Sequence, residues 1–163
     1  MNLYIIRHAI AEEESPSGDD SQRALTDKGR KKMRQIAKGL RILGVEFDMI
    51  LSSPYIRARE TAEVLSNVFK VKRPLAFSDH LVPMGDASAL AMEIKEKYSV
   101  NDLAIVGHQP LLANFISLLT AKGAPVDVEL KKGGVCRLAT DDMHFAKLQW
   151  LFTPGVLVEI SEE

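Results

Sequence analysis

Two short apolar runs, Leu3-Tyr4-Ile5-Ile6 near the start of the chain and Leu103-Ala104-Ile105-Val106 far along it, constrain the fold more than any other feature. A continuous apolar run of this length, cut off at once by polar residues, reads as a buried strand. The first run ends in Arg7-His8 and the second in Gly107-His108. In open α/β sheets ligands bind outside the carboxyl ends of the strands. Two strands that each deliver a histidine to that edge therefore imply one site built from distant sequence. A histidine at such a position serves as a nucleophile or as a general base, and the arginine beside it can grip an oxyanion.

The intervening sequence alternates strands with helices. Residues 11–24 form a polar, acid-rich loop carrying Glu12, Glu13, Glu14, Asp19 and Asp20, broken by Pro16 and Gly18. Thr26 is a good N-cap, and the spacing of Met33, Ile36, Ala37, Leu40 and Leu43 predicts a helix to about Leu43, stopped by Gly44. Phe47–Leu51 reads as a strand, and Ser52-Ser53-Pro54 as the opening of a helix whose apolar stripe is Tyr55, Ala58, Ala62, Leu65 and Phe69. A short strand around Leu75–Phe77 and a helix from about Ala87 to Tyr98 follow. The 103–106 strand then leads into a helix ending near Ala121, with Leu112, Phe115, Ile116 and Leu119 buried. Beyond it, Val128–Leu130, Val135–Leu138, Ala146–Phe152 and Leu157–Ile160 read as short strands separated by turn pairs, which is antiparallel hairpin patterning. The expected fold is one α/β domain over residues 1–163. It is a three-layer α/β/α sandwich whose mostly parallel central sheet gains antiparallel strands at its C-terminal end.

Composition narrows the function classes. With 21 basic and 22 acidic residues in 163, the formal net charge is −1, so the chain has no electrostatic footprint for nucleic acid or for an anionic membrane. The single cysteine, Cys136, excludes an intrachain disulfide, and no Cys/His cluster has zinc spacing, so neither a metal nor another cofactor is expected. The first apolar run breaks at Arg7, too early for a signal peptide or a membrane span, and cytoplasm is the expected location.

Set side by side, the predicted strand ends supply Arg7 and His8, then Ser52-Ser53-Pro54 with Arg57 just beyond, then His108. Two of them run straight into helix starts, whose free N–H groups favour anions, and arginine forks match phosphate oxygens. The inferred site is a pocket for a tetrahedral dianion. The ordered blocks Arg7-His8, Arg23-Ala24-Leu25-Thr26-Asp27-Lys28-Gly29, Ser52-Ser53-Pro54-Tyr55-Ile56-Arg57-Ala58-Arg59-Glu60-Thr61-Ala62 and Gly107-His108 resemble the histidine phosphatase superfamily, with its phosphoglycerate mutase-like fold. The small size and the Arg7-His8-Ala9-x-Ala start resemble its compact SixA branch of phosphohistidine phosphatases.

The resemblance implies that His8 is the nucleophile, forming a covalent phosphohistidine, and that Arg7, Arg57 and His108 hold the phosphoryl oxygens, with Arg23 at the rim. It also implies that no metal is required, since arginine and imidazole supply the positive charge. Two departures stand out. Ala9 follows the nucleophile where many relatives have glycine. Gln109 follows His108 where others place an aspartate acid, which leaves Asp79 and His80 as candidate proton donors. A weak acid suits a substrate with a good leaving group, such as phosphohistidine on a protein, and the short connections leave the pocket open to one. Histidine-containing phosphotransfer domains of two-component relays are the expected partners. The alternatives are a small-molecule phosphomonoester phosphatase or mutase of the same superfamily, and a non-catalytic phosphate-binding module. Taken singly, Arg57 could instead pair with Glu60 or Glu63, Arg59 suits such a surface pair, and Cys136 reads as an inert buried thiol.

Overall fold

The computed structural model describes residues 1–122 and 124–163. Its centre is a six-stranded mixed sheet made of β1 (Asn2–Arg7), β2 (Met49–Ser52), β3 (Ala76–Phe77), β4 (Asp102–Gly107), β5 (Val135–Thr140) and β6 (Ala146–Phe152), in the order β3-β2-β4-β1-β5-β6. The four strands from β3 to β1 run parallel, whereas β5 and β6 are antiparallel. The helices are α1 (Asp27–Ile42), α2 (Ile56–Phe69), α3 (Ala87–Lys97), α4 (Leu111–Thr120) and α5 (Pro154–Ser161).

The pleat of β1 separates two cores. Leu3 and Ile5 face the layer of α3 and α4, where they meet Leu90, Ile94, Leu112 and Phe115. Tyr4 and Ile6 face α1, α2 and α5, where they meet Met33, Ile36, Leu40, Leu65 and Leu157. A strand buried on both sides has no polar face, which is why its sequence lacks alternation. Each fully buried Leu or Ile contributes roughly 1.5–3 kcal/mol of transfer free energy, so the central strands anchor the molecule.

The termini of α1 follow the reading, but its apolar face ends at Leu40, because Leu43 falls on the C-cap and is exposed. Thr26 accepts from the Gly29 N–H at 2.9 Å, and the chain turns out through Leu43 and Gly44, where φ is +77°. Three readings need correction. Ser52-Ser53-Pro54 does not open α2, because β2 runs through Ser52 and the helix starts at Ile56 behind Tyr55. The Ser53 hydroxyl accepts the Tyr55 N–H and so forms a turn before the helix. Val128–Leu130 is not a strand, because its carbonyls go to side chains and not to a ladder: Val128 O accepts from Gln109 and Leu130 O from Arg7. Leu157–Ile160 belongs to α5. An apolar run this short has no decisive period; Pro154 at the helix start and burial of Pro154 and Leu157, three residues apart, select the helix. That helix packs directly on α1 at Gly39, where a Cβ would stand 2.1 Å from the Leu157 carbonyl oxygen. Among the described residues, no helix is long and apolar enough to cross a membrane.

Candidate active site

Strand register gathers the predicted residues at one edge. Arg7 lies beside Gly107 and Ser52 beside Val106, so the carboxyl ends of β1, β4 and β2 finish level. The next residues, His8, His108 and Ser53, are all buried. Backbone bonds continue past the strands, with His8 N–H donating to Gly107 O and Ser53 N–H to Val106 O. The ring centroids of His8 and His108 stand 5.0 Å apart. Tyr55 bridges to the third block, with its ring 5.1 Å from that of His108 and 5.1 Å from the Arg57 guanidinium carbon.

The immediate surroundings of His8 define its chemistry. Its Nδ1 lies 2.7 Å from the Ala9 carbonyl oxygen. A carbonyl can only accept, so Nδ1 carries the proton and the lone pair resides on Nε2. Burial pushes the His8 pKa down to about 3, and the nearby charges of Arg57, Arg7 and Lys132 add to the shift against the Ala9 bond. The imidazole is therefore neutral at ordinary pH. Ala9 is itself fixed, because its N–H donates to Thr61 Oγ1 at 3.0 Å while that hydroxyl donates to the Arg57 carbonyl at 2.7 Å. Helix α2 thus orients the loop after β1 and carries Arg57 at the same time. On the other side, Gly133, with φ +80°, directs its N–H at the carbonyls of both Arg7 and His8.

His108 is held through its Nε2, 2.9 Å from Ser53 Oγ. Ser53 Oγ also accepts the Tyr55 N–H, so one hydroxyl ties the His108 ring to the turn before α2. Burial lowers the His108 pKa to about 2, helped by His8 and Arg57. Both arginines are tied by their outer nitrogens: Arg7 Nη1 donates to Leu130 O, and Arg57 Nη1 and Nη2 donate to Asp20. Among the described residues four buried side-chain nitrogens lack a hydrogen-bond partner: Arg137 Nε on β5, and Arg7 Nε, Arg57 Nε and His108 Nδ1. Buried polar groups are normally paired, so the three that belong to the residues gathered here call for an explanation. An oxyanion bound there would accept from both arginine Nε–H groups, and from His108 when Nδ1 carries its proton.

The remaining predicted residues fare differently. Arg23 is half-buried and engaged in a bond from its Nε to Asp20 at 2.8 Å and one to the Glu12 carbonyl. Arg57 does not pair with Glu60 or Glu63. Glu60 binds Arg30 and the Leu25 N–H, and Arg59 takes Glu63 as the surface pair expected of it. Asp79 is exposed and His80 half-buried on a short turn leading to α3, where they line an open cleft with Phe77, Met92, Glu93 and Lys97. Gln109 is structural: its carbonyl oxygen caps the Ala113 N–H and its amide donates to Val128 O. Cys136 is buried, with its thiol pushed up to about 12. Asp20, Ser53 and Thr61 are contributors that sequence reasoning missed. Ser53 and Thr61 lay inside the motif block that was read, whereas nothing separated Asp20 from its acidic neighbours.

Comparison with known proteins bears on this geometry. Residues 3–82 match the family model of the histidine phosphatase superfamily, branch 1. The chain is 34% identical over 140 residues to an uncharacterized protein of Picosynechococcus, covering 85% of this chain and 84% of that one. It is 30% identical over 135 residues to the phosphohistidine phosphatase SixA homolog of Haemophilus influenzae, covering 77% and 81%. Its fold superposes on that of the protein histidine phosphatase SixA, solved in complex with tungstate, with a TM-score of 0.86 at 23% identity, over 96% of this chain and 99% of that one. A sheet edge that pairs two buried histidines with two arginines, set in a chain with these relatives, has one family assignment: this chain belongs to the histidine phosphatase superfamily, in its compact SixA-type branch.

Proposed function

We propose that this chain is a metal-independent phosphohistidine phosphatase acting on a phosphorylated protein, with His8 as the nucleophile. The observation that carries the reading is the set of three buried, unpartnered nitrogens, Arg7 Nε, Arg57 Nε and His108 Nδ1, beside an imidazole whose Nε2 holds the lone pair. In the first step His8 Nε2 attacks phosphorus while the bond from phosphorus to the substrate's imidazole nitrogen breaks. The substrate imidazole leaves with its lone pair, neutral because its other nitrogen is protonated. The Ala9 carbonyl stabilises the positive charge that His8 acquires on phosphorylation. Arg7, Arg57 and His108 hold the non-bridging oxygens, whose charge shifts during transfer. Water then attacks phosphorus, the bond to Nε2 breaks, and inorganic phosphate is released.

The proton inventory supports a phosphoramidate over an ester. An alkoxide leaving group needs an acid, yet His108 is neutral far below physiological pH and both ends of the Gln109 amide are occupied. The relatives point the same way, through a phosphohistidine phosphatase homolog and a SixA fold that binds tungstate, itself a tetrahedral oxyanion. Within this reading the substrate is a histidine-containing phosphotransfer domain, presented to an open site in the cytoplasm.

The test offers the chain a phosphohistidine-bearing phosphotransfer domain and, separately, an aryl and a sugar phosphate, each with wild type and His8→Ala. Dephosphorylation of the protein substrate that is abolished by the substitution supports the reading. Faster His8-dependent turnover of the esters would assign the chain to small-molecule chemistry, and phosphate binding without any turnover would make it a binding module.

A further inference from the structure

Resting on the functional reading above, we propose that Asp20 is a positioning residue that clamps the outer edge of Arg57, so that the guanidinium presents its Nε edge to a bound phosphoryl group. A guanidinium has five N–H donors in a fixed fork and two edges able to bind an anion bidentately, one through Nη1 and Nη2 and one through Nε and Nη2. Asp20 occupies the first edge only. Arg57 Nη1 donates to its backbone carbonyl at 2.8 Å and Nη2 to its carboxylate at 3.1 Å. The Nε proton lies on the adjacent edge, buried and unpaired among the described residues. The Arg57 side chain is 4% exposed and that of Asp20 60%, so a solvent-exposed carboxylate grips a buried guanidinium.

Asp20 is in turn braced. Arg23 Nε holds its other carboxylate oxygen at 2.8 Å, and Arg23 Nη1 is tied to the Glu12 carbonyl. A relay thus runs from the loop after the nucleophile, through Arg23 and Asp20, to Arg57. It gives Arg23 a role distinct from direct contact with phosphate. Asp20 sits on a 3-10 turn (Asp20–Gln22) with no buried residue, so apolar packing does not set its position and these polar bonds do. The arrangement parallels that of Arg7, whose outer nitrogen is held by the Leu130 carbonyl while its Nε is also left unpaired.

The experiment compares wild type, Asp20→Asn and Asp20→Ala in two measurements. The first is the nitrogen–proton correlation of Arg57 Nε by NMR without ligand, expected to be sharp in wild type and broadened beyond detection in Asp20→Ala. The second is the affinity for inorganic phosphate by phosphorus NMR titration. Asp20→Ala is expected to weaken it about three- to tenfold, as fits loss of a partly exposed charge-assisted contact, with Asp20→Asn between the two. In an Arg57→Ala background the Asp20 substitution is expected to have no further effect. An Arg57 Nε signal unchanged in Asp20→Ala overturns the clamp. Phosphate binding that tightens on removing Asp20 also overturns it, because Asp20 would then be a competing anion, as does a loss that persists undiminished without Arg57. If wild type fails to bind phosphate while its Arg57 Nε signal depends on Asp20, the clamp stands and the functional reading falls.

Discussion

Two neutral histidines buried in one site make stability depend on pH in a calculable way. The pKa values of His8 and His108 are pushed to about 3 and about 2, chiefly by burial, whereas an unfolded histidine titrates near 6.5. The unfolded state therefore binds more protons than the folded one everywhere between those limits. The stabilisation is fully present above the unfolded value and is lost as pH falls toward the folded values. Between pH 7 and pH 5 the loss depends only on the unfolded pKa, because neither folded histidine titrates there. It comes to about 2 kcal/mol for each residue and about 4 kcal/mol for the pair. Urea unfolding of wild type and His8→Ala at both pH values isolates one of the two. Removing His8 changes the absolute stability, but the difference between the two pH values cancels that change along with the carboxylate contributions. The pH-dependent loss is expected to shrink by about 2 kcal/mol in the variant. An equal loss in wild type and variant would mean that folded His8 titrates normally, and would refute the neutral, desolvated imidazole at that position.

Other expectations can be checked separately. Gly39→Ala forces a Cβ against the Leu157 carbonyl, so α5 must lift from α1, with a destabilisation of about 1–3 kcal/mol read as a lowered Tm. Ser53→Ala removes the partner of His108 Nε2 and frees the ring's tautomer, and phosphate affinity and kcat are both expected to fall while the fold persists by circular dichroism. The double replacement Asp79→Asn, His80→Gln should leave turnover of phosphohistidine nearly unchanged, since these side chains line the cleft beside α3. A collapse of that rate in the assay would make one of them the missing acid.

The parts of the fold legible in sequence were those with an unambiguous period or cap. The β1 and β4 runs, the Thr26 cap and the Ala58, Ala62 and Leu65 part of the α2 stripe settled where their patterns placed them, because burial on one or both faces dictates those patterns, whereas Tyr55 lies ahead of the helix against His108. One misreading was a helix start: Ser52-Ser53-Pro54 has cap chemistry, but Ser53 uses it in a turn ahead of α2. The other two fell where short apolar runs carry no period. Val156-Leu157-Val158 suits a strand as well as a helix, and only packing on Gly39 and the Thr153-Pro154 start decide it. Val128–Leu130 reads as a strand because it is a short run set off by the Gly133-Gly134 turn pair, yet its carbonyls serve Gln109 and Arg7. His8, Arg7, Arg57 and His108 are marked in sequence by strand ends and a helix start; register brings His8, Arg7 and His108 to one edge, and Tyr55 links Arg57 on α2 to His108. Of the residues that orient them, Ser53 and Thr61 act through hydroxyls within the motif block, whereas Leu130 acts through a backbone carbonyl and Asp20 through one carboxylate in an acidic loop, and these last contacts leave no trace in spacing.

The central claim is that a phosphoryl group passes through His8. A rapid-mixing experiment with a radiolabelled phosphohistidine protein, quenched in base to preserve phosphohistidine, followed by digestion and mass spectrometry, tests it most directly. The expected result is a transient phosphoryl group on the His8 peptide that forms and decays within one turnover and is absent in His8→Ala. Complete turnover of the protein substrate with no label on His8 at any time would contradict it.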